Sequence, residues 1–126
     1  MLETNIPEVV AEVTAEWQRY NRAVNENDVT TMNELFWSSP LTVRYGFAEN
    51  LYGHDEIATF RSSRTGKIDR SVGRTVITTF GRDFAYAFTE THTAGSRRVG
   101  RQSHTWVRTD QGWRIVAAHV SSMEGT

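Results

Sequence analysis

The chain has 126 residues and no cysteine, which excludes disulfide bonds and thiolate metal sites and is compatible with a reducing cytoplasm. It has no run close to the roughly 18 apolar residues that a membrane-spanning helix requires. Its net charge is only −1, so no overall field attracts nucleic acid or anionic lipid. The N-terminal residues are acidic where a signal peptide is basic. We therefore expect a soluble, cytoplasmic protein without a nucleic-acid or membrane partner.

Lysine is nearly absent as well, because 13 of the 14 basic residues are arginine and only Lys67 is lysine. Arginine binds a carboxylate with two parallel hydrogen bonds, whereas lysine is a mobile point charge. The bias therefore fits a site for small anions. Codon usage in a G+C-rich genome produces the same bias, so each arginine has to be judged by its position.

The hydrophobic pattern divides the chain into helices followed by strands. Apolar residues at helical spacing predict a long helix over about residues 6–25, a short one around 32–36 and a third that begins near 53–55. Segments rich in β-branched and aromatic residues predict strands at residues 41–45, 74–80, 84–93, 101–108 and 113–121.

This order predicts a single α+β domain over residues 1–126, with the helices on one face of a curved antiparallel sheet. Helices of this length cannot cover the whole sheet, so we expect a cone with a pocket at its open end. The search for function is then a search for polar side chains that point into the pocket.

Tyr20 and Arg44 are the first candidates for the inside of this pocket. Tyr20 lies in the apolar stripe of the first helix, so its hydroxyl needs a partner, either in the core or in the pocket. Arg44 and Tyr45 are adjacent on a strand, so pleating points only one of them inward. An inward Arg44 requires an internal carboxylate or a bound anion. We expect Arg44 to bind the ligand.

Arg61 and Arg64 lie one turn apart on the third predicted helix. Such a pair usually forms a solvated helix face. A short third helix at the mouth of the cone would instead turn both arginines toward a ligand, an expectation that rests on analogy with similar folds. Both readings stay open from the sequence.

Strand 101–108 has polar residues on both faces, which predicts a pocket or a subunit interface. Gln102, His104, Trp106 and Arg108 share one face, and His104 becomes a candidate proton shuttle if this face is the inner one. On the last strand, His119 is predicted to share a face with Trp113, Ile115, Ala117 and Ser121.

The histidines do not have the spacing of a metal site. His54, His92, His104 and His119 show neither His-x-His nor His-x-x-x-His spacing, and no acids cluster beside them. Glycine-rich phosphate loops and nucleophile elbows are also missing from the sequence. We expect neither a metal nor another cofactor.

Strand 84–93 is partly apolar on both faces, which is more than one small core requires. Phe84, Tyr86 and Phe88 lie on one face, opposite smaller residues. This pattern predicts a two-fold homodimer across the exposed face of the sheet.

Several segments together resemble a known family. The stretch from Glu16 to Trp37 resembles the opening of the cystatin-like cone domains, a superfamily that includes nuclear transport factor 2, ketosteroid isomerases and SnoaL-like polyketide cyclases. The segments ELFW, RYG, ENLYG, RTVITTFG, GRQS and GWRIVAAHVS, in this order, resemble the AtzH-like family, also called HpxZ-like, over about residues 7–121.

The resemblance implies a cofactor-free hydrolase or decarboxylase that removes an amide or carboxyl group from a small carboxylated urea. Oxalurate and compounds derived from cyanuric acid are examples, in nitrogen or purine catabolism. It also implies a homodimer packed through the outer sheet face and a role beside an amidase. Tyr20 falls where ketosteroid isomerases keep an oxyanion-binding tyrosine, but their catalytic carboxylate has no counterpart near Tyr45. This departure argues against steroid isomerase chemistry.

The implied substrate fits the candidate residues, since an arginine can bind its carboxylate and a tyrosine hydroxyl can stabilise charge on its ureido oxygen. The predicted catalytic residues are Tyr20, Arg44 and His104. The predicted substrate-binding residues are Trp37, Tyr45, Arg61, Arg64, Gln102 and His119. The sequence offers no strong nucleophile, so we do not expect a covalent mechanism. The alternative is a non-catalytic ligand-binding or accessory module that supports a partner amidase, and it stays open because both functions need Arg44 and Tyr20 in the pocket.

Overall fold

Three helices pack on one face of a six-stranded sheet in the computed structural model, which describes residues 2–124. The helices are α1 (Pro7–Glu26), α2 (Val29–Leu35) and α3 (His54–Ser62). The strands are β1 (Val43–Tyr45), β2 (Asn50–Tyr52), β3 (Arg70–Phe80), β4 (Phe84–Thr93), β5 (Val99–Thr109) and β6 (Gly112–Met123). The predicted α+β class is confirmed.

The sheet has the strand order β2-β1-β6-β5-β4-β3. Strands β3 to β6 form the predicted antiparallel meander, whereas β1 pairs parallel to β6 and antiparallel to β2. Strand β2 was not predicted from the sequence, because three residues are too few to show a period of two.

Helix α1 lies against the inner face of the sheet along its apolar stripe. Proline at its first position costs no hydrogen bond, because the first amide of a helix has no partner within it. Asn27 ends the helix in the left-handed conformation, with φ of 55°, which asparagine tolerates better than most residues. Val9, Val13 and Tyr20 are buried on the stripe, and no helix of residues 2–124 is long and apolar enough to span a membrane.

The hydrophobic core fills the end of the cone near the turn between β5 and β6. Trp106 and Ile115 on the sheet, Val13 and Leu35 on the helices, and Phe36 directly after α2 are fully buried there. Toward the other end of the sheet the inner face carries fewer apolar side chains and more polar ones.

A β-bulge in β6 decides which of its side chains face inward. Thr105 of β5 is opposite Ala117, but the next residue, Trp106, is opposite Ile115. The extra residue reverses the alternation of β6, so Ile115 and Ala118 are both buried and His119 is exposed. The predicted common face of His119 with Trp113 and Ile115 is therefore wrong.

Candidate functional site

The open end of the cone contains a pocket of about 540 Å³ between α1, α3 and the inner face of the sheet. Of the described residues that line it, Glu49 is the one carboxylate, whereas five are arginines. These are Arg44, Arg61, Arg64, Arg70 and Arg98. The wall is therefore strongly cationic, although the net charge of the chain is close to zero.

Arg61 is the most deeply buried cation of the pocket, with 3% of its surface exposed. Its Nη2 donates a hydrogen bond of 2.6 Å to the Tyr20 hydroxyl, and its Nη1 lies 2.8 Å from the sulfur of Met32. The guanidinium stands 4.9 Å above the Phe36 ring. Burial lowers the pKa of Arg61, but an arginine remains charged at neutral pH.

Within residues 2–124, no carboxylate balances the charge of Arg61. Its Nε also has no hydrogen-bond partner among these residues. A buried charge without a partner costs several kcal/mol, on the order of 3–5 when a partner is removed. An anion in the pocket would supply the missing partner.

Tyr20 brings a hydroxyl to the pocket wall. Its ring packs edge-on against His104, with 5.0 Å between centroids, and against Phe36 at 5.7 Å. Because the hydroxyl oxygen accepts a hydrogen bond from Arg61, its own O–H group can donate to a ligand. The helical phase predicted the inward ring, and the catalytic role of the hydroxyl stays a prediction.

Arg44 points inward, as predicted, and its partner is internal. Its Nη1 lies 3.1 Å from Oε1 of Glu49, and its guanidinium stands 5.5 Å above the ring of Phe60. A side chain at position 46 would clash with the Glu49 carboxylate, so Gly46 allows the loop to fold back on Arg44. Arg44 therefore lines the pocket as half of an ion pair.

His104 faces inward but does not line the pocket. Burial, followed by the positive charges of Arg61, Arg44 and Arg70, lowers the pKa of His104 to about 3. The ring is therefore neutral at pH 7 and is a weak base. Its position under Tyr20 and its low pKa do not support the predicted proton-shuttle role.

The other predicted site residues divide between the pocket and the rest of the surface. Arg64 and Gln102 line the pocket, whereas Trp37, Tyr45 and His119 do not. Tyr45 follows Arg44 on β1, so pleating turns it outward, and its hydroxyl lies 3.0 Å from that of Tyr52. Its ring packs on His119 at 5.9 Å, on the outer face of the sheet.

Arg70 and Arg98 are pocket residues that the sequence reasoning missed. Arg70 lies four residues before the predicted start of its strand, and Arg98 lies in the connection between β4 and β5, where its Nε donates to the Ser122 hydroxyl at 2.9 Å. The sequence around Arg98 contains no pattern that indicates a pocket residue. Arg70 could have been suspected from its partners Asn21 and Asn25, which are polar residues four apart on the sheet-facing side of a predicted helix.

Comparison with known proteins identifies the family. The family model of AtzH-like proteins matches residues 2–126. The chain belongs to the AtzH-like family. No match is found among curated proteins. Within residues 2–124, this AtzH-like protein has no group of three or more His, Asp or Glu side chains that could hold a metal ion.

Solved structures with the same fold agree with this assignment. A protein of unknown function from Pectobacterium atrosepticum SCRI1043 is 52% identical, with 96% of this chain and 95% of that chain covered and a TM-score of 0.93. A cystatin-like fold protein from Burkholderia xenovorans LB400 is 45% identical over 100% of both chains, with a TM-score of 0.94.

A more distant neighbour shows the fold alone. An NTF2-like protein of unknown function from Pseudomonas putida KT2440 is 14% identical, with 90% of this chain and 86% of that chain covered and a TM-score of 0.77. The AtzH-like protein thus has a cystatin-like, NTF2-like fold that holds a pocket for a small molecule.

Proposed function

We propose that this AtzH-like protein binds a small carboxylated urea or amide of the oxalurate type and removes an amide or carboxyl group from it without a cofactor. The observation that carries the proposal is Arg61, a buried guanidinium whose partners among the described residues are all neutral. Its unbalanced charge makes the pocket attractive to a small anion.

Binding follows from the shape and charge of the pocket. A volume of about 540 Å³ lies in the range of small-molecule sites. The planar guanidinium of Arg61 can bind a carboxylate with two hydrogen bonds. Arg44 adds a second guanidinium if the ligand displaces Glu49 from it.

Catalysis in this proposal uses the Tyr20 hydroxyl. When a carboxylate leaves as carbon dioxide, or water adds to an amide carbon, negative charge develops on a ureido or amide oxygen. Tyr20 donates its proton toward that oxygen while Arg61 stabilises the phenol oxygen from behind. One such donor typically contributes about 2–4 kcal/mol to transition-state stabilisation.

A second candidate function is a non-catalytic module that binds the ligand and supports a partner amidase. Two observations favour it. Glu49, the one carboxylate among the described lining residues, is paired with Arg44, and the buried His104 has a pKa of about 3. Neither group is a ready general base for the activation of water.

Turnover separates the two candidates. Purified protein is incubated with oxalurate, and ammonia and carbon dioxide are measured, while binding is followed by calorimetry. Product release supports the enzyme, and binding without product supports the accessory module. Absence of both would contradict the proposal.

The variant Arg44→Lys tests how the carboxylate is bound. It keeps the positive charge but loses the two-pronged hydrogen bond, so we expect oxalurate affinity and turnover to fall about tenfold, the size of one charge-assisted hydrogen bond. Arg74→Lys, on the outer face, is the matched control. Affinity and turnover equal to those of the parent would remove Arg44 from the site.

We also propose that the protein acts in the cytoplasm as a two-fold homodimer. Phe84 and Phe88 on the outer sheet face are 54% and 55% exposed, and Val76 beside Phe88 is 40% exposed. Large apolar side chains clustered in this way are typical of a subunit interface.

A further inference from the structure

We propose that Arg70 is a further anion-binding residue of the pocket, and that Asn21, Asn25 and Gln102 are positioning residues that hold it without neutralising its charge. This inference rests on the proposed function, because it concerns the same pocket and the same anionic ligand. It adds a reason for the selection of anions over neutral compounds of the same shape.

Each of the three nitrogens of the Arg70 guanidinium donates a hydrogen bond to a different amide side chain. Nη2 donates to Oδ1 of Asn21 at 2.6 Å, Nε to Oδ1 of Asn25 at 3.1 Å and Nη1 to Oε1 of Gln102 at 3.2 Å. Asn21 and Asn25 are one turn apart on α1, so both reach the same point above the sheet. Arg70 is thereby fixed between the helix and β5.

A 180° rotation of the Asn21 or Asn25 amide group would break its hydrogen bonds. The Nδ2 of Asn21 donates to the carbonyl of Trp17 at 2.9 Å, and the Nδ2 of Asn25 donates to the carbonyl of Arg70 at 2.9 Å. Each amide therefore keeps its oxygen toward the guanidinium and its nitrogen toward a backbone acceptor. The arrangement selects asparagine over aspartate at both positions, because a carboxylate could not donate to the carbonyl.

The charge of Arg70 consequently stays in the pocket. Within residues 2–124 Arg70 forms no ion pair, although it is half-buried and burial lowers its pKa. A guanidinium has five N–H groups, and its three bonds to amide oxygens leave two for a ligand. Arg44 differs, because Glu49 already balances its charge.

The test compares an anion with its neutral analogue. Oxamate and oxamide have nearly the same shape, but only oxamate carries a charge. Calorimetric titration of the parent is expected to show binding of oxamate and much weaker binding of oxamide. Gln102→Glu places a carboxylate on Nη1 of Arg70 at nearly constant volume, so oxamate affinity should fall about tenfold and oxamide affinity should stay within twofold or so.

Two further variants complete the design. Gln111→Glu adds the same charge at an exposed position in the β5–β6 turn, at the other end of the sheet, and should leave both affinities unchanged. Arg70→Gln removes the guanidinium and should also cost oxamate about tenfold. If Gln102→Glu does not fold, as its thermal midpoint would show, Arg70→Gln tests the inference instead.

The outcomes distinguish this inference from the proposed function. If the parent binds oxamate and neither Gln102→Glu nor Arg70→Gln changes that affinity, the role of Arg70 is wrong and the proposed function stands. If both ligands lose affinity equally, Arg70 is only structural, which also overturns the inference. If the parent binds neither oxamate nor oxalurate, both proposals fail.

Discussion

Arginines at the two ends of the sheet have opposite surroundings. Near the β5–β6 turn, the exposed Arg108 lies 2.9 Å from Glu12 and 3.3 Å from Asp83, and the exposed Arg82 lies 2.9 Å from Glu8. At the pocket end, Arg61 is buried and its described hydrogen-bond partners, Met32 and Tyr20, are neutral. Among the described residues, the exposed Arg82 and Arg108 therefore have counter-charges, whereas the buried Arg61 has none.

The energetics make this difference informative. An exposed ion pair contributes about 0–1 kcal/mol, because water screens it and both side chains lose freedom. A buried charge without a counter-ion costs several kcal/mol. A protein selected for stability alone would pair or replace the buried arginine first. In the proposed function, the pocket end keeps this charge for a ligand, whereas the turn end shows ordinary surface electrostatics.

The largest expected effect comes from Arg61→Met, which removes the buried charge and keeps most of the volume. Oxamate affinity should fall about a hundredfold or more, while the free energy of unfolding should rise by about 1–3 kcal/mol, since apolar replacement of buried charges is often stabilising. Calorimetric titration and urea unfolding measure the two quantities. Arg108→Met is the control at the turn end, where both should change little.

A strongly destabilised Arg61→Met variant with unchanged oxamate binding would contradict this comparison. Arg61 would then be a structural residue that holds α3 to α1 through Tyr20, and it would have no role in ligand binding.

The next effect in size concerns Tyr20→Phe, which removes one oxygen and keeps the ring. Turnover should fall about a hundredfold, the usual cost of a lost oxyanion donor. The free energy of unfolding should fall by only about 1–3 kcal/mol, because Nη2 of the buried Arg61 loses its acceptor. Turnover and thermal midpoint are measured on the same preparation, with Tyr86→Phe as the control. A destabilised but fully active variant would leave Tyr20 a core tyrosine.

A smaller effect is expected from His104, whose pKa in the folded protein is about 3, below its ordinary value of 6.5. Between these values the unfolded chain binds the proton and the folded protein does not. Stability is therefore complete above pH 6.5 and falls as the pH drops toward 3, by up to about 1.4 kcal/mol per pH unit. His104→Gln should flatten this part of the profile.

Urea unfolding at several pH values between 4 and 7 or so measures the slope. The variant His119→Gln, at an exposed position, controls for the loss of an imidazole side chain. An unaltered slope in His104→Gln would mean that His104 takes up its proton as readily in the folded state as in the unfolded chain. Burial and the nearby arginines would then not lower its pKa.

The sequence was sufficient for the fold but only partly for the site. Helix α1 and the meander β3–β6 have strong periods of 3.6 and 2, and the inward ring of Tyr20 followed from its phase on α1. The bulge in β6 is set by its pairing with β5, so the outward position of His119 could not be read from alternation. No local pattern predicts the bond between Tyr20 and Arg61, which are 41 residues apart.

The surroundings of the pocket arginines were the least predictable feature. Whether an arginine is paired depends on residues distant in sequence, as for Arg70 and Gln102, which are 32 residues apart. The prediction for Arg44 left an internal carboxylate and a bound anion open, and the structure provides the carboxylate of Glu49.

The smallest expected effect on oxamate affinity comes from a substitution on the outer face of the sheet. Phe88→Glu should convert the proposed dimer to a monomer in sedimentation experiments, because it places charge in an apolar interface, while oxamate affinity changes by less than about twofold. Leu41→Glu changes another exposed apolar residue, outside this face, and should leave the dimer intact. A parent that sediments as a monomer would contradict the assembly.

Thermal unfolding of the parent protein with oxamate and with oxamide tests most directly whether the pocket end binds anions in preference to neutral compounds. A ligand that binds only the folded state at a hundred times its dissociation constant stabilises it by about 2.7 kcal/mol. Such stabilisation raises the midpoint of a domain of this size by several degrees. We predict that rise with oxamate and almost none with oxamide. Equal shifts with both compounds, or no shift with either, would contradict the view that Arg61 and its neighbours keep their charge for a ligand.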